Sequence, residues 1–289
     1  MEYLFFILII INIYIVLTVS LNLILGYTGM ISVSHAGFMG VGAYVTTILM
    51  VNYNWHFLWT LPAAALLAAL LAVFFGMASL RVKGDHYLAV SFGIQFIFLA
   101  LMVNLAVTNG SNGFAGIPKP EIFGFRFQSN VSFFVLSLVF MLLCFWFTSR
   151  LGKGPFGLIL KAIREDDTAT EALGKNVKFY KVTVFTIGCS LAALAGSFFA
   201  TVISFIDPFS FTLDESIFIC CLVIIGGSGN VRGALVGVPI LIVFPELLRF
   251  LQIPSTVAAP LRQIFYGLLI ILFMRFRPDG ILSEIAGKR

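Results

Sequence analysis

Residues 3–25 read YLFFILIIINIYIVLTVSLNLIL, a run with no charged side chain. A helix rising 1.5 Å per residue needs about 20 mostly apolar residues to cross the hydrocarbon of a bilayer, and this segment is long enough. Its length decides the fold class. In lipid only a helix or a closed barrel satisfies its own backbone, and barrel strands are roughly half this long. Outward from it the pattern recurs at residues 57–80, 87–108, 131–148 and 180–205, and in shorter pieces at 217–225, 234–244 and 261–276. Composition agrees: the chain is 60% hydrophobic and 11% charged, against roughly a quarter charged in soluble domains. The expected architecture is an all-α polytopic membrane protein with about 8–10 transmembrane helices, some short or broken, forming one transmembrane domain over residues 1–289.

The first run has no basic residue before it and exceeds the length of a signal core, so it is read as a retained span. Cys144, Cys189, Cys220 and Cys221 lie inside apolar runs without a C-x-x-C or a histidine at ligand spacing. They read as packing residues, with no metal or disulfide implied.

Orientation follows from Lys and Arg. Alternating the runs puts residues 26–34, 81–86, 149–181, 226–233 and the tail from 275 on one side. Those segments hold fourteen of the 18 Lys and Arg, leaving Lys119, Arg126, Arg249 and Arg262 for the other side. The basic side is cytoplasmic, which places the C-terminus inside and, with an odd number of crossings, the N-terminus outside. The basic balance is thereby explained without a nucleic-acid partner. Neither 109–130 nor 149–181 is long enough to bury a core of its own. Any energy source is therefore a gradient or another polypeptide.

Charge collects in one place. AIREDDTATEALG, residues 162–174, carries five charged side chains. Gly154 before Pro155 suits a helix start, and Phe156, Ile159, Leu160 and Ile163 fall at helical spacing. A second start follows, with Thr168 and Glu171 spaced as a capping box and Gly174 as the helix end. Two short capped helices with small residues at Ala162, Ala169, Ala172 and Gly174 read as a docking element on the cytoplasmic side.

These residues resemble a known family. EALG, residues 171–174, resembles the loop by which permease subunits of bacterial ABC importers engage their ATPase, and AIREDDTATEALGKNV, residues 162–177, resembles its version in the branched-chain amino acid permeases. GYTGMISVSHAGFMGVGAY (26–44), LRVKGDHYLAV (80–90), GSNGFAGIP (110–118), GGSGNVRGALVG (226–237) and FRPDGIL (276–282) resemble further motifs of that family, in its order. The Ser32-x-x-His35-Ala36 form is similar to the LivM type rather than the LivH type. The resemblance implies an inner-membrane, multi-pass permease that is not itself an enzyme and holds no cofactor, with ATP and Mg bound by a partner subunit. It implies a heterodimer with a LivH-type paralogue, two ABC ATPase subunits and a periplasmic substrate-binding protein. The expected cargo is a branched-chain or other hydrophobic amino acid, with urea or short amides as the alternative within the same importer type. On this resemblance Ala162, Ile163, Arg164, Glu165, Glu171, Ala172, Leu173 and Gly174 couple to the ATPase, with Arg164, Glu165 and Glu171 making polar contacts there. Asp85 before His86, and Gln95 where many relatives carry Glu, depart from the family pattern.

Sequence physics points separately to a pathway. Gly-interrupted apolar segments in corresponding places of two halves mark transport sites, and residues 26–44 and 226–237 are such a pair. Gly29, Gly37, Gly40 and Gly42 are expected to break or thin a helix, or else to let helices pack closely. Asn22, Ser32, Ser34, His35, Gln95, Asn104, Gly226 and Gly227 are the candidate pathway residues. Glu246 and Arg249, three apart, are expected to pair with each other. No mid-membrane carboxylate is apparent, which argues against an ion-coupled carrier. His35, His56 and His86 lack H-x-x-x-H or H-E-x-x-H spacing, which argues against an intramembrane enzyme.

Overall fold

The computed structural model describes residues 2–79, 86–122, 125–127 and 129–250, together with 264, 267–268, 271–272, 275 and 280–281; at 86, 122, 125–126 and 244–250 it describes the backbone alone. The expected span over 261–276, most of the motifs at 80–90 and 276–282, and the expected Glu246–Arg249 pairing lie outside the described residues and side chains. The helices are α1 (Glu2–Thr28), α2 (His35–Tyr53), α3 (Phe57–Ser79), α4 (His86–Asn104), α5 (Asn130–Lys153), α6 (Pro155–Glu165), α7 (Asp167–Ala172), α8 (Val177–Ile203), α9 (Leu213–Gly226) and α10 (Gly233–Phe250). Among the described residues seven helical segments are long and apolar enough to cross a membrane, and α10 adds a shorter apolar one. The chain is a multi-pass, all-helical membrane protein, as its sequence leads one to expect.

Side chains sort by size rather than by polarity. In α3 the residues Thr60, Ala64, Ala68, Ala72, Gly76 and Ser79 recur every three or four positions and are buried, while Leu66, Leu70 and Phe74 are exposed. Helices in lipid gain nothing by hiding Leu from hydrocarbon, so small residues face inward, where backbones approach, and large ones face outward. The small stripe of α3 packs on α8. In α5 the buried positions Phe133, Ser137, Met141, Cys144, Thr148 and Gly152 form a similar stripe, which packs on α1 with Asn12 Nδ2 donating to Ser137 Oγ at 3.1 Å.

Two helices form the centre. α1 is buried over most of its length from Ile9 to Thr28, and α8 packs against α1, α2 and α3. The α2–α8 crossing is the tightest. A Cβ on Gly42 would lie 1.9 Å from the Ala193 carbonyl oxygen, and one on Gly196 would lie 1.9 Å from that of Met39. Thr46 Oγ1 donates to Ser197 Oγ across the same crossing at 2.7 Å. Gly37, Gly40 and Gly42 therefore do not interrupt α2. They thin it, so that Phe98 and Met102 of α4, Phe211 and the backbone of α8 can reach its axis.

At the C-terminal end of α8 a two-stranded antiparallel pair joins β1 (Phe114–Ala115) to a strand (Phe205–Ile206) that follows it. Gly116 N and Ile117 N both donate to Ser204 O, and Gly113, at φ +64°, leaves no room for a Cβ against Ile206 O. The loop that follows α4 is thereby stapled to the end of α8.

Candidate transport site and coupling element

α1 ends at Thr28, and Gly29 turns the chain at φ +73°. Residues 29–34 then run back without helical structure, and α2 starts at His35. The start lies well inside the length of α1, a helix long and apolar enough to cross a membrane. His35 Nε2 is 2.7 Å from Ser20 Oγ, and Ser20 precedes the end of α1 by eight residues, about 12 Å of helix. Irregular backbone at such depth is tolerated only where protein or a polar cavity receives it. Here Ser32, Val33, Ser34 and His35 are all buried.

The free N–H groups of a helix start need acceptors, and Ser34 gives no side-chain cap. Other helices supply them. Ala36 N donates to Ser216 Oγ of α9 at 2.9 Å, Gly37 N to Gln95 Oε1 of α4 at 2.9 Å, and Val33 N to Ser91 Oγ of α4 at 3.1 Å. Gln95 also accepts from Ser216 Oγ at 3.2 Å and donates through Nε2 to Phe211 O at 2.7 Å. Phe211 belongs to a second break, in which the chain leaves α8 and passes a 3-10 turn (Pro208–Phe211) before α9. The two helix breaks, one reached from each membrane face, are thus tied to one amide.

Of the candidate pathway residues, the structure gathers Ser32, Ser34, His35 and Gln95 here. Ser32 and Ser34 hydroxyls are 3.1 Å apart, and Cys220 Sγ reaches Ser32 O at 3.4 Å. Asn104 is not part of the group; it is exposed and bonds its own helix at Ala100 O. Gly226 meets Gly233 and Gly237, where it allows α9 and α10 to touch, and Gly227 lies at φ +117° against Gly280. Asn22 holds the loop between α9 and α10, accepting from Gly229 N at 2.8 Å and donating to Asn230 O at 3.0 Å. Ser20, Ser91 and Ser216 went unread in the sequence, although each is a hydroxyl within or beside an apolar run.

The expected absence of a membrane-depth carboxylate is corrected. Glu215 adjoins Ser216 in α9 and accepts a hydrogen bond from Tyr14 OH at 2.5 Å. The apolar run begins only at Ile217, so the acidic residues before it read as a loop, whereas α9 and its preceding turn carry them into the span.

In the charged loop α6 and α7 form the two short helices expected. Leu160 and Ile163 are buried, while α7 starts two residues earlier than the capping-box reading places it. Asp166 is the N-cap, its side chain accepting from Thr168 N at 2.8 Å and Ala169 N at 3.1 Å, so Thr168 is helical. Asp is at least as good a cap as Thr, and the extended backbone at Asp166 leaves its carboxylate facing the free N–H groups. Gly174 ends the helix at φ +78°, with its N–H on Glu171 O at 2.9 Å.

The element has two sides. Ala162, Glu165, Glu171, Ala172, Leu173 and Gly174 are exposed, and Leu173 shows 77% of its surface. Arg164 points the other way, since its Nη1 donates to Gly26 O near the end of α1 at 2.6 Å. Lys161 stands over the Tyr27 ring at 5.5 Å, and Lys181 of α8 pairs with Asp167 of α7 at 2.5 Å. The Arg164 guanidinium bonds the end of a central helix, on the side away from the exposed residues.

Comparison with known proteins fits this geometry. The family model described as "Branched-chain amino acid transport system / permease component" matches residues 3–274. The chain is 32% identical to the high-affinity branched-chain amino acid transport system permease protein LivM of Escherichia coli, an alignment covering 93% of this chain and 68% of that protein. It is 26% identical to a probable LivM of Methanocaldococcus jannaschii, over 76% of this chain and 66% of that protein. It is 25% identical to LivH of Salmonella typhimurium, over 94% and 91%. No solved structure matches the chain. With a family model across nearly its whole length and this identity to LivM, the protein belongs to the branched-chain amino acid transport permeases, as a membrane-embedded permease component whose ATP is bound by a separate ATPase subunit.

Proposed function

We propose that this chain is the LivM-type half of an ATP-driven importer for branched-chain amino acids. Residues 1–289 act as one permease domain, with 149–181 as its coupling loop. Its partners are a LivH-type paralogue, two ABC ATPase subunits and a periplasmic binding protein that delivers the cargo. The observation that carries this reading is the two-sidedness of α6 and α7. One side offers Ala162, Glu165, Glu171, Ala172 and Leu173 to a second protein, while the other is bonded to the helices that hold the breaks.

The bonds suggest a route for force. Movement of α6 passes through Arg164 to Gly26 and α1, and movement of α7 passes through Asp167–Lys181 to α8. Asn22 links α1 onward to the loop joining α9 and α10. The ends of those helices flank the breaks at 29–34 and 204–212, where Gln95 joins them. Two states of the breaks, biased by ATP binding elsewhere, supply alternating access.

The test is co-purification from mild detergent with Glu171→Lys, Leu173→Asp and Gly174→Val variants. Loss of the ATPase subunits and of uptake, with retained membrane levels and a retained LivH-type partner, is expected. Unchanged ATPase recovery and uptake would refute the docking role.

A further inference from the structure

Three buried polar atoms have no hydrogen-bond partner among the described residues, and two of them, Tyr44 OH and Thr47 Oγ1, lie one turn apart on α2. Tyr44 is 3% exposed and Thr47 0%. Side chains spaced three apart share a helix face, and the Gly40 Cβ position on that face points at Met102 and Phe211. The Tyr44 ring packs edge-on against Phe114 at 6.3 Å and Phe211 at 6.2 Å. Asp207 follows Ile206, the strand partner of Phe114, caps the 3-10 turn that holds Phe211, and has its Cα 2.9 Å from where a Cβ on Gly113 would sit. Asp207 Oδ1 takes both the N–H and the hydroxyl of Ser210, and its Oδ2 has no bond among the described residues.

Phe and Val would fill the same volumes without stranding two hydroxyls, and a buried hydroxyl without a partner is a net cost to the state seen here. Such groups make sense in another state that satisfies them. Tyr44 lies nine residues beyond the buried start of α2, about 13 Å toward the outer face, so the state concerned is one opened to the outside. We propose that Tyr44, Thr47 and Asp207 form a receiving site in the outer half of the pathway for a zwitterionic α-amino acid. The two hydroxyls donate to its carboxylate, and Asp207 Oδ2, with the Phe114 and Phe211 rings, takes its ammonium. Phe98 and Met102, beneath on α4, meet an apolar side chain. Because a neutral urea or amide lacks both charges, the site selects amino acids over the alternative cargo. This inference rests on the importer reading and deepens it.

The experiment uses the complete importer in proteoliposomes, with leucine-loaded binding protein at saturation, and reads ATP-driven leucine uptake and the melting temperature of each complex. Tyr44→Phe, Thr47→Val and Asp207→Asn are each expected to lower uptake about tenfold, the value of one lost charge-assisted bond in the step that uses it. Thr47→Ser is expected to restore it. Tyr44→Phe and Thr47→Val are expected to melt no lower than the parent. Parental uptake in all three variants overturns the proposal, as does loss of uptake that tracks a lowered melting temperature, because the hydroxyls then hold structural water only. If the parent complex itself imports no amino acid with ATP, the importer reading fails and takes this site with it.

Discussion

Replacing Arg164 by Met separates docking from transmission. The guanidinium makes a charge-assisted bond of 2.6 Å to Gly26 O from a half-buried position. A buried bond of this kind contributes about 1.5–3 kcal/mol, and partial exposure reduces that to about 1–1.5 kcal/mol. If that energy keeps α6 and α1 moving as one body, its loss lets the ATPase cycle without the breaks following. Coupling free energies of this size correspond to roughly five- to tenfold. The assay is the ratio of leucine imported to ATP hydrolysed by the reconstituted complex. The ratio is expected to fall about five- to tenfold, with ATP hydrolysis little changed because the exposed face of α7 is intact. Arg164→Lys, which keeps a donor but loses the planar fork, is expected to fall between. An unchanged ratio in a complex that still assembles refutes transmission through this bond. Equal loss of hydrolysis and uptake would instead make Arg164 a docking residue.

Other substitutions probe the frame. Gly196→Ala places a methyl 1.9 Å from Met39 O, so α2 and α8 must part by about 1.5 Å and the complex is expected to lose about 1–3 kcal/mol, read as a lower melting temperature in detergent. Gln95→Leu leaves Gly37 N and Phe211 O unpaired, each at about 1–3 kcal/mol, whereas Gln95→Glu keeps the acceptor for Gly37 and is expected to be milder. Thermal unfolding with membrane abundance distinguishes the two. Asn22→Leu strands Gly229 N and Asn230 O, each at about 1–3 kcal/mol, while leaving the α2 start untouched, and is expected to lower the melting temperature and to uncouple uptake from ATP hydrolysis.

Much of this was legible before any coordinates. Long apolar runs announced α1, α3, α4, α5 and α8, since twenty residues without charge have few other uses. α2 was harder, because Gly37, Gly40 and Gly42 read as interruptions of an apolar segment while Gly42 serves to let α8 approach. The α6–α7 pair was visible through Pro155 and Gly174, local signals that need no tertiary partner. The bond that Arg164 makes was not visible for the opposite reason: which way a half-buried arginine turns depends on a carbonyl 138 residues away in sequence. Gln95 stood out with Asn104 as an amide in an apolar run, but its role in tying two helix breaks together comes from Gly37 and Phe211 and has no local signature.

The most direct test of the central claim is accumulation of labelled leucine in proteoliposomes holding this chain with its LivH-type partner and both ATPase subunits. Binding protein is supplied outside and ATP inside. Accumulation above the external concentration that requires ATP, and collapses with Leu173→Asp, is the predicted result. Uptake that proceeds equally without ATP and follows an imposed proton or sodium gradient would contradict it.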